Sequence, residues 1–529
     1  MGRTPLFREV ARAIHAARFC EFSGLRTREG LERLAEVRHS RRQFLAAAGA
    51  ALVAASPARA LAEPLRGAPR IAIVGGGLSG LVCADRLQAK GIVATLYEAR
   101  TRLGGRCFSN RTLVPGMACE NGGEFIDTGH KTMLAYANEF GLARETVAKK
   151  AGEDRFHFFG QAWDEADVVD QFRAVVASMR ADLKRISGSA SFYASTAADV
   201  EFDELDLASY FARRAAGYPL VEAVLNEAYL AEYGLETSRQ STLNFLGFMR
   251  LNRQSKFEPF GVSDERFHLV DGNDGIVAGL EAKLRGPVVR GARLVRLARN
   301  ASGEFELFFD GAATPDVADV VVLAVPFTVL RGVDLDGSLG LSADKRRAID
   351  TLGYGTNAKT MVAFTERVWA TRYGASGAAL SDLPHHQNTW ESNRANATSF
   401  GILTDYASGD RGAALTSAQL QAQVEAFLGD LDAVFPGAKL AAAASASGYA
   451  AHLEHWPSDP HALGSYTCYT TGQFTGVAGL EAEPVGLLKF AGEHTDSFYS
   501  WQGYMEGACL AGLRAANEVL ADVKSARVQ

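Results

Sequence analysis

The stretch RIAIVGGGLSGLVCADRLQAKGIVATLYEAR, Arg70 to Arg100, constrains this chain more than any other. Ile71 to Val74 is a short unbroken apolar run, the pattern of a strand buried on both faces. Gly75-x-Gly77-x-x-Gly80 follows at once, then Leu81, Ala84 and Leu87 at helical spacing. A second strand, Val93 to Tyr97, ends on Glu98, 18 residues after Gly80. Gly75 permits a tight turn, Gly77 admits backbone close to a pyrophosphate, and Gly80 lets helix and strand touch; Ser79 belongs to the same turn. Phosphates sit on a helix N-terminus, where free N–H groups and the macrodipole favour negative charge. Glu98 takes the hydroxyls of a ribose, which disfavours a 2′-phosphate but leaves NAD and FAD both open.

Composition narrows the classes further. The 529 residues are 47% hydrophobic, an ordinary globular profile with room for two or three domains. A net charge of −6 without a basic block argues against nucleic acid as a partner. Cys20, Cys83, Cys107, Cys119, Cys468 and Cys509 lack metal-ligand spacing and read as isolated buried thiols, so no metal is expected. A Cys107–Cys119 bridge in an oxidising compartment stays open. Arg41-Arg42, the short apolar run Phe44 to Ala55 and the small residues of SPARALAE are similar to a twin-arginine signal peptide. The run is too short to span a bilayer. Residues 1–62 are therefore read as signal and leader, with a periplasmic or secreted address and no transmembrane helix in the mature chain.

Beyond Glu98 the chain continues EARTRLGGRC, with Arg102, Gly104, Gly105 and Arg106 just past the ribose position, then ENGGEFID with Gly122 and Gly123. Near the far end stand LLKFAGEHTD, containing Glu493, and WQGYMEGACLAGLRAA, which reads as a loop entering a helix at Gly503. Together these segments resemble the flavin-containing amine oxidase family, over residues 70 to about 525. The resemblance implies FAD held by Arg102, Gly105, Arg106, Gly122 and Gly123, with Val289 against adenine and Glu493 on the ribityl chain. Gly503, Tyr504 and Met505 then turn N–H groups toward the pyrimidine end of the flavin. It also implies a Rossmann-like α/β FAD domain (68–130, 266–334 and 480–525) and an interleaved α+β substrate domain (131–265 and 335–479). Residues 131–265 and 335–475 carry long helical patterns.

By the same resemblance, Tyr466 and Tyr504 form an aromatic cage, Trp501 lies near the flavin edge, and Ser465 stands where some relatives carry a flavin-linked cysteine. FAD is accordingly expected to be non-covalent. The implied reaction takes hydride from the amine-bearing carbon, giving an imine and, with dioxygen as acceptor, peroxide. His494 and His268 are weighed as bases, and a structural role is preferred for both. A lysine found in many members after the A-x-P turn is missing here, where Arg331 and Gly332 stand; this keeps a quinone or cytochrome acceptor open. A carboxylate-clamping arginine is replaced by Glu124 and Phe125, and Arg331 is one substitute for it. An L-amino acid is narrowly favoured, a basic one if Glu124 holds a second positive charge; the alternative is a mono- or polyamine. A homodimer completes the expected partners.

Overall fold

A computed structural model describes residues 69–147, 152–251, 264–392, 394, 396, 398–496 and 501–525, with residues 13, 14, 16, 17, 20, 26–28 and 31 before them. The arginine pair and the apolar run after it lie outside the described residues.

Five parallel strands form the sheet that the glycine-rich turn belongs to. In spatial order they are Leu488–Phe490, Val320–Leu323, Ile71–Val74, Thr95–Glu98 and Val288–Arg290. The opening strand is central and buried at all four positions, as expected for a strand covered on both faces. One face is covered by the helix Leu78–Gln88 and the last helix, Met505–Lys524, which pack together. Close approach of those two helices depends on Gly512, where a Cβ would lie 2.3 Å from the Ser79 carbonyl oxygen. The last helix starts at Met505, two residues later than the sequence suggests, with Tyr504 at its cap.

Helices Lys131–Glu139 and Gly275–Lys283 and a four-stranded sheet from residues 294–335 pack with this sheet, and a second apolar cluster is built by other helices. Helices Glu165–Arg185, Leu207–Arg214, Pro219–Tyr233 and Leu243–Leu251 gather around Phe172, Tyr210, Phe211, Tyr229 and Phe245. Asp164 and Asp206 cap two of these helices with their carboxylates. Pro219 opens another, and Gly234 closes it in the left-handed conformation. Ala13, Ile14, Ala16 and Ala17, from the stretch read as leader, belong to the same apolar cluster. The Thr27 hydroxyl there accepts a 2.7 Å hydrogen bond from Arg173.

Residues 335–475 depart from the helical reading. They supply five strands of a seven-stranded, mostly antiparallel sheet, among them Ala358–Phe364, Ala375–Ser381, Asn388–Ser392 and Gly401–Ala407. Each of these four is buried along its whole length, so the in-out alternation that marks a strand is absent from the sequence. All six cysteines are buried and unbridged, Cys107 and Cys119 included.

Candidate active site

A cavity of about 380 Å³ runs from the glycine-rich turn to the seven-stranded sheet. At its first end, Gly75 has φ +109°, and a Cβ at Gly80 would lie 2.0 Å from the Gly75 carbonyl oxygen, so the turn tolerates no side chain at either place. The Glu98 carboxylate accepts the Gly76 and Arg100 N–H groups, each at 2.8 Å, and faces the cavity. Ser79 Oγ is buried in the first helical turn without a partner among the described residues, on the cavity wall. An uncapped helix start with an unpaired hydroxyl and a nearby carboxylate fits a pyrophosphate and a ribose.

The middle of the cavity is drawn together from distant segments. Arg106 donates to Glu493 at 3.1 Å and to the Ser465 carbonyl at 2.5 Å. The other Glu493 oxygen accepts from Thr467 at 3.0 Å. Gly122 lies so close to the Arg106 carbonyl that a Cβ would meet it at 1.7 Å, and Trp456 donates its indole N–H to Asn121 O at 2.9 Å beside it. Arg106, Gly122, Gly123, Glu493, Gly503, Tyr504 and Met505 all line the wall. These residues are the ones that would hold the flavin and its ribityl chain.

Two expected cofactor residues, Arg102 and Val289, and one expected catalytic-site residue, Trp501, stand elsewhere. Arg102 is turned onto the Phe108 ring, 3.8 Å from its centroid, and donates to the Leu103 and Gly105 carbonyls, bracing the turn rather than the wall. Val289 is 39% exposed; the wall at that end is made by Ala292, Arg293 and Leu294. Trp501 sits behind the wall, its ring 4.3 Å from His130 and 5.5 Å from Tyr504, where it supports the tyrosine from the back.

At the far end Tyr466 and Tyr504 line one cavity, joined by Phe125 and by Trp390 and Tyr406, the last two of which the sequence reading did not single out. The Tyr406 and Tyr466 hydroxyls are 3.0 Å apart. A lysine from a later segment than the one weighed in the sequence also reaches this wall. Lys359 comes from the strand Ala358–Phe364, and its Nζ donates to Glu120 O at 3.0 Å, Gly122 O at 2.8 Å and Glu124 Oε2 at 2.9 Å. Glu124 Oε1 accepts from the Ser392 hydroxyl at 2.8 Å. The carboxylate proposed to hold a substrate's second charge is therefore already neutralised within the chain. Burial pushes the Glu124 carboxyl up, but the Lys359 ammonium, the His268 imidazolium and the hydrogen bonds it accepts outweigh this and hold it below the ordinary range.

Neither histidine lines the cavity. His268 lies between Glu120 and Glu145, 3.0 Å from each; burial opposes its charge, yet the two carboxylates raise it to about 10. His494 is enclosed by Phe327 and Tyr354, and burial with the surrounding cations pushes it well below its ordinary value. Arg331 donates to the Ile349 and Leu352 carbonyls at 2.8 and 2.6 Å, which removes it as a substrate clamp.

Comparison with known proteins agrees with this geometry. The chain is similar to an L-amino-acid oxidase of Pseudechis australis, 22% identical over 471 residues, covering 87% of this chain and 88% of that protein. It is 23% identical over 476 residues to a putative L-amino-acid oxidase, YobN, of Bacillus subtilis (strain 168), covering 85% and 94%. Among solved structures, its fold resembles cyclohexylamine oxidase from Brevibacterium oxydans, with TM-score 0.74, 20% identity and coverage of 86% and 100%. Putrescine oxidase bound to putrescine gives 0.70, 19% identity and coverage of 86% and 99%. The family model for flavin containing amine oxidoreductases matches residues 78–520, and the chain belongs to that family, as an FAD-dependent oxidoreductase acting on CH–NH2 groups.

Proposed function

We propose that this enzyme oxidises a compact primary amine with an uncharged, apolar tail, passing the electrons to dioxygen. The observation that carries this is the wall at the substrate end. Phe125, Trp390, Tyr406 and Tyr466 supply aromatic surface, and the acid–base pair there, Glu124 and Lys359, is closed on itself. Aromatic faces bury apolar groups and favour an unhydrated, neutral amine, the form able to give up hydride from its carbon. FAD supplies the electron acceptor when bound; this chain's residues position the amine, exclude water and hold the flavin ends. Dioxygen as acceptor is supported by the relatives, which are named as oxidases.

A second reading, an apolar L-amino acid, is favoured by the sequence relatives. Its carboxylate needs a cation, and among the described residues at this end of the cavity only Lys359 carries one. A matched pair decides. Peroxide release from phenethylamine should exceed that from L-phenylalanine by at least tenfold in kcat/KM. The reverse order rejects the amine reading, and anaerobic flavin bleaching without peroxide in air rejects the oxygen acceptor.

A further inference from the structure

We infer that Glu124 is the residue by which this enzyme excludes carboxylate-bearing substrates, because it conceals Lys359. The inference deepens the proposed function and rests on its reading that the substrate reaches this wall. Lys359 has three N–H bonds, and all three are used, by Glu120 O, Gly122 O and Glu124 Oε2. Both Glu124 oxygens are used as well, by Lys359 and Ser392, and the Ser392 hydroxyl is a further 2.9 Å from that of Thr404. The two side chains are only about 5% exposed, yet both border the cavity, with Lys359 Nζ 5.3 Å from the Trp390 ring centroid.

An ammonium in this position would attract an anion strongly, since water is scarce and the neighbouring rings are apolar. Paired with Glu124, it presents no net charge and no free N–H. A substrate carboxylate arriving there meets a neutral wall and an adjacent carboxylate, and loses its hydration without compensation. The negative side chain thus acts against the wrong ligand, while the apolar rings act for the right one.

The variant Glu124→Gln keeps the shape and an acceptor for Nζ but removes the charge. Benzoate, an amine-free carboxylate, is titrated into the wild-type and variant holoenzymes by calorimetry. The ratio of kcat/KM for L-phenylalanine to that for phenethylamine is measured on the same samples. Benzoate is expected to bind the variant at least tenfold more tightly, and the ratio to rise at least tenfold. Both gains should vanish in Glu124→Gln with Lys359→Met. If both substrates lose activity in proportion, or if the gain survives loss of the lysine, the inference is overturned. A wild type that already prefers L-phenylalanine rejects the amine reading instead, and the variant's change in ratio still reports on Glu124. Should Glu124→Gln fail to accumulate as holoenzyme, Glu124→Asp withdraws the charge from Nζ by one methylene; a threefold rise in the ratio is expected, and none refutes the inference.

Discussion

Replacing Lys359 by methionine isolates the energetic weight of the buried pair, because methionine keeps the length of the stem and deletes the ammonium. In the wild type, Lys359 and its neighbours hold the Glu124 carboxyl below its ordinary 4.5. A depressed carboxyl contributes stability above its unfolded value and loses that contribution as pH falls through the folded one. Without Lys359 the carboxylate is buried and compensated only by the more distant His268 and by Ser392. Removing one partner of a buried pair costs about 3–5 kcal/mol, and the carbonyls of Glu120 and Gly122 also lose their donor. Retained attraction to His268 argues for the lower end, about 3 kcal/mol. In a chain of this size that corresponds to a fall in Tm of roughly 3 °C. The fall should be complete at pH 7.5, where the stranded carboxyl must ionise or take up a proton, and should shrink toward pH 4.5. Thermal unfolding of both holoenzymes, followed by tryptophan fluorescence at matched scan rates across that range, reads it. A shift below 1 °C at pH 7.5, or one equal at all pH values, would refute the reasoning.

Other consequences are as direct. Glu98→Gln weakens the two bonds that order the glycine turn and the charge facing the ribose; FAD affinity should fall about 30- to 100-fold, equivalent to 2–3 kcal/mol, measured by flavin titration of the apoprotein. Gly122→Ala places a Cβ 1.7 Å from the Arg106 carbonyl and should yield protein with little absorbance at flavin wavelengths. Gly429→Ala, in a helix with nothing within 4 Å, should be neutral or stabilising by about 0.5–1 kcal/mol. For His268 the folded value of about 10 lies above the ordinary 6.5, so its contribution is full below pH 6.5 and lost as pH rises through 10. His268→Gln should therefore be markedly less stable than wild type at pH 6, with the gap narrowing toward pH 10 in denaturant titrations.

How much of this was legible in the sequence differed by the kind of signal. The turn at Gly75 to Gly80 and the acid at Glu98 were legible because backbone geometry forces those residue types at fixed spacing. Glu493 and the Gly503 turn were legible only through resemblance, since nothing local ties them to a partner such as Arg106 so far away in sequence. Lys359 was missed although a trace was present: a lysine inside AKTMVAF, an otherwise nearly apolar strand, is a residue type almost never fully buried unless paired. Its partner could not be read, because pairing with Glu124 is created by the sheet and not by spacing. Trp390 and Tyr406 share that origin; they face the cavity through the register that sets Trp390 against Thr404 and Lys359 against Tyr406. Arg331 misled for the opposite reason, since a charged side chain near a motif suggests a ligand whereas this one is spent on backbone carbonyls.

The contact between the helix Leu78–Gln88 and the last helix has a consequence for how the protein is made. The strand Val320–Leu323 must await Leu488–Phe490, and the helix Leu78–Gln88 must await Met505–Lys524, before the compartment between them exists. At ordinary translation speeds these come roughly half a minute to two minutes after synthesis begins. Nucleotide capture thus comes late in synthesis, and any product cut short before Met505 should emerge colourless.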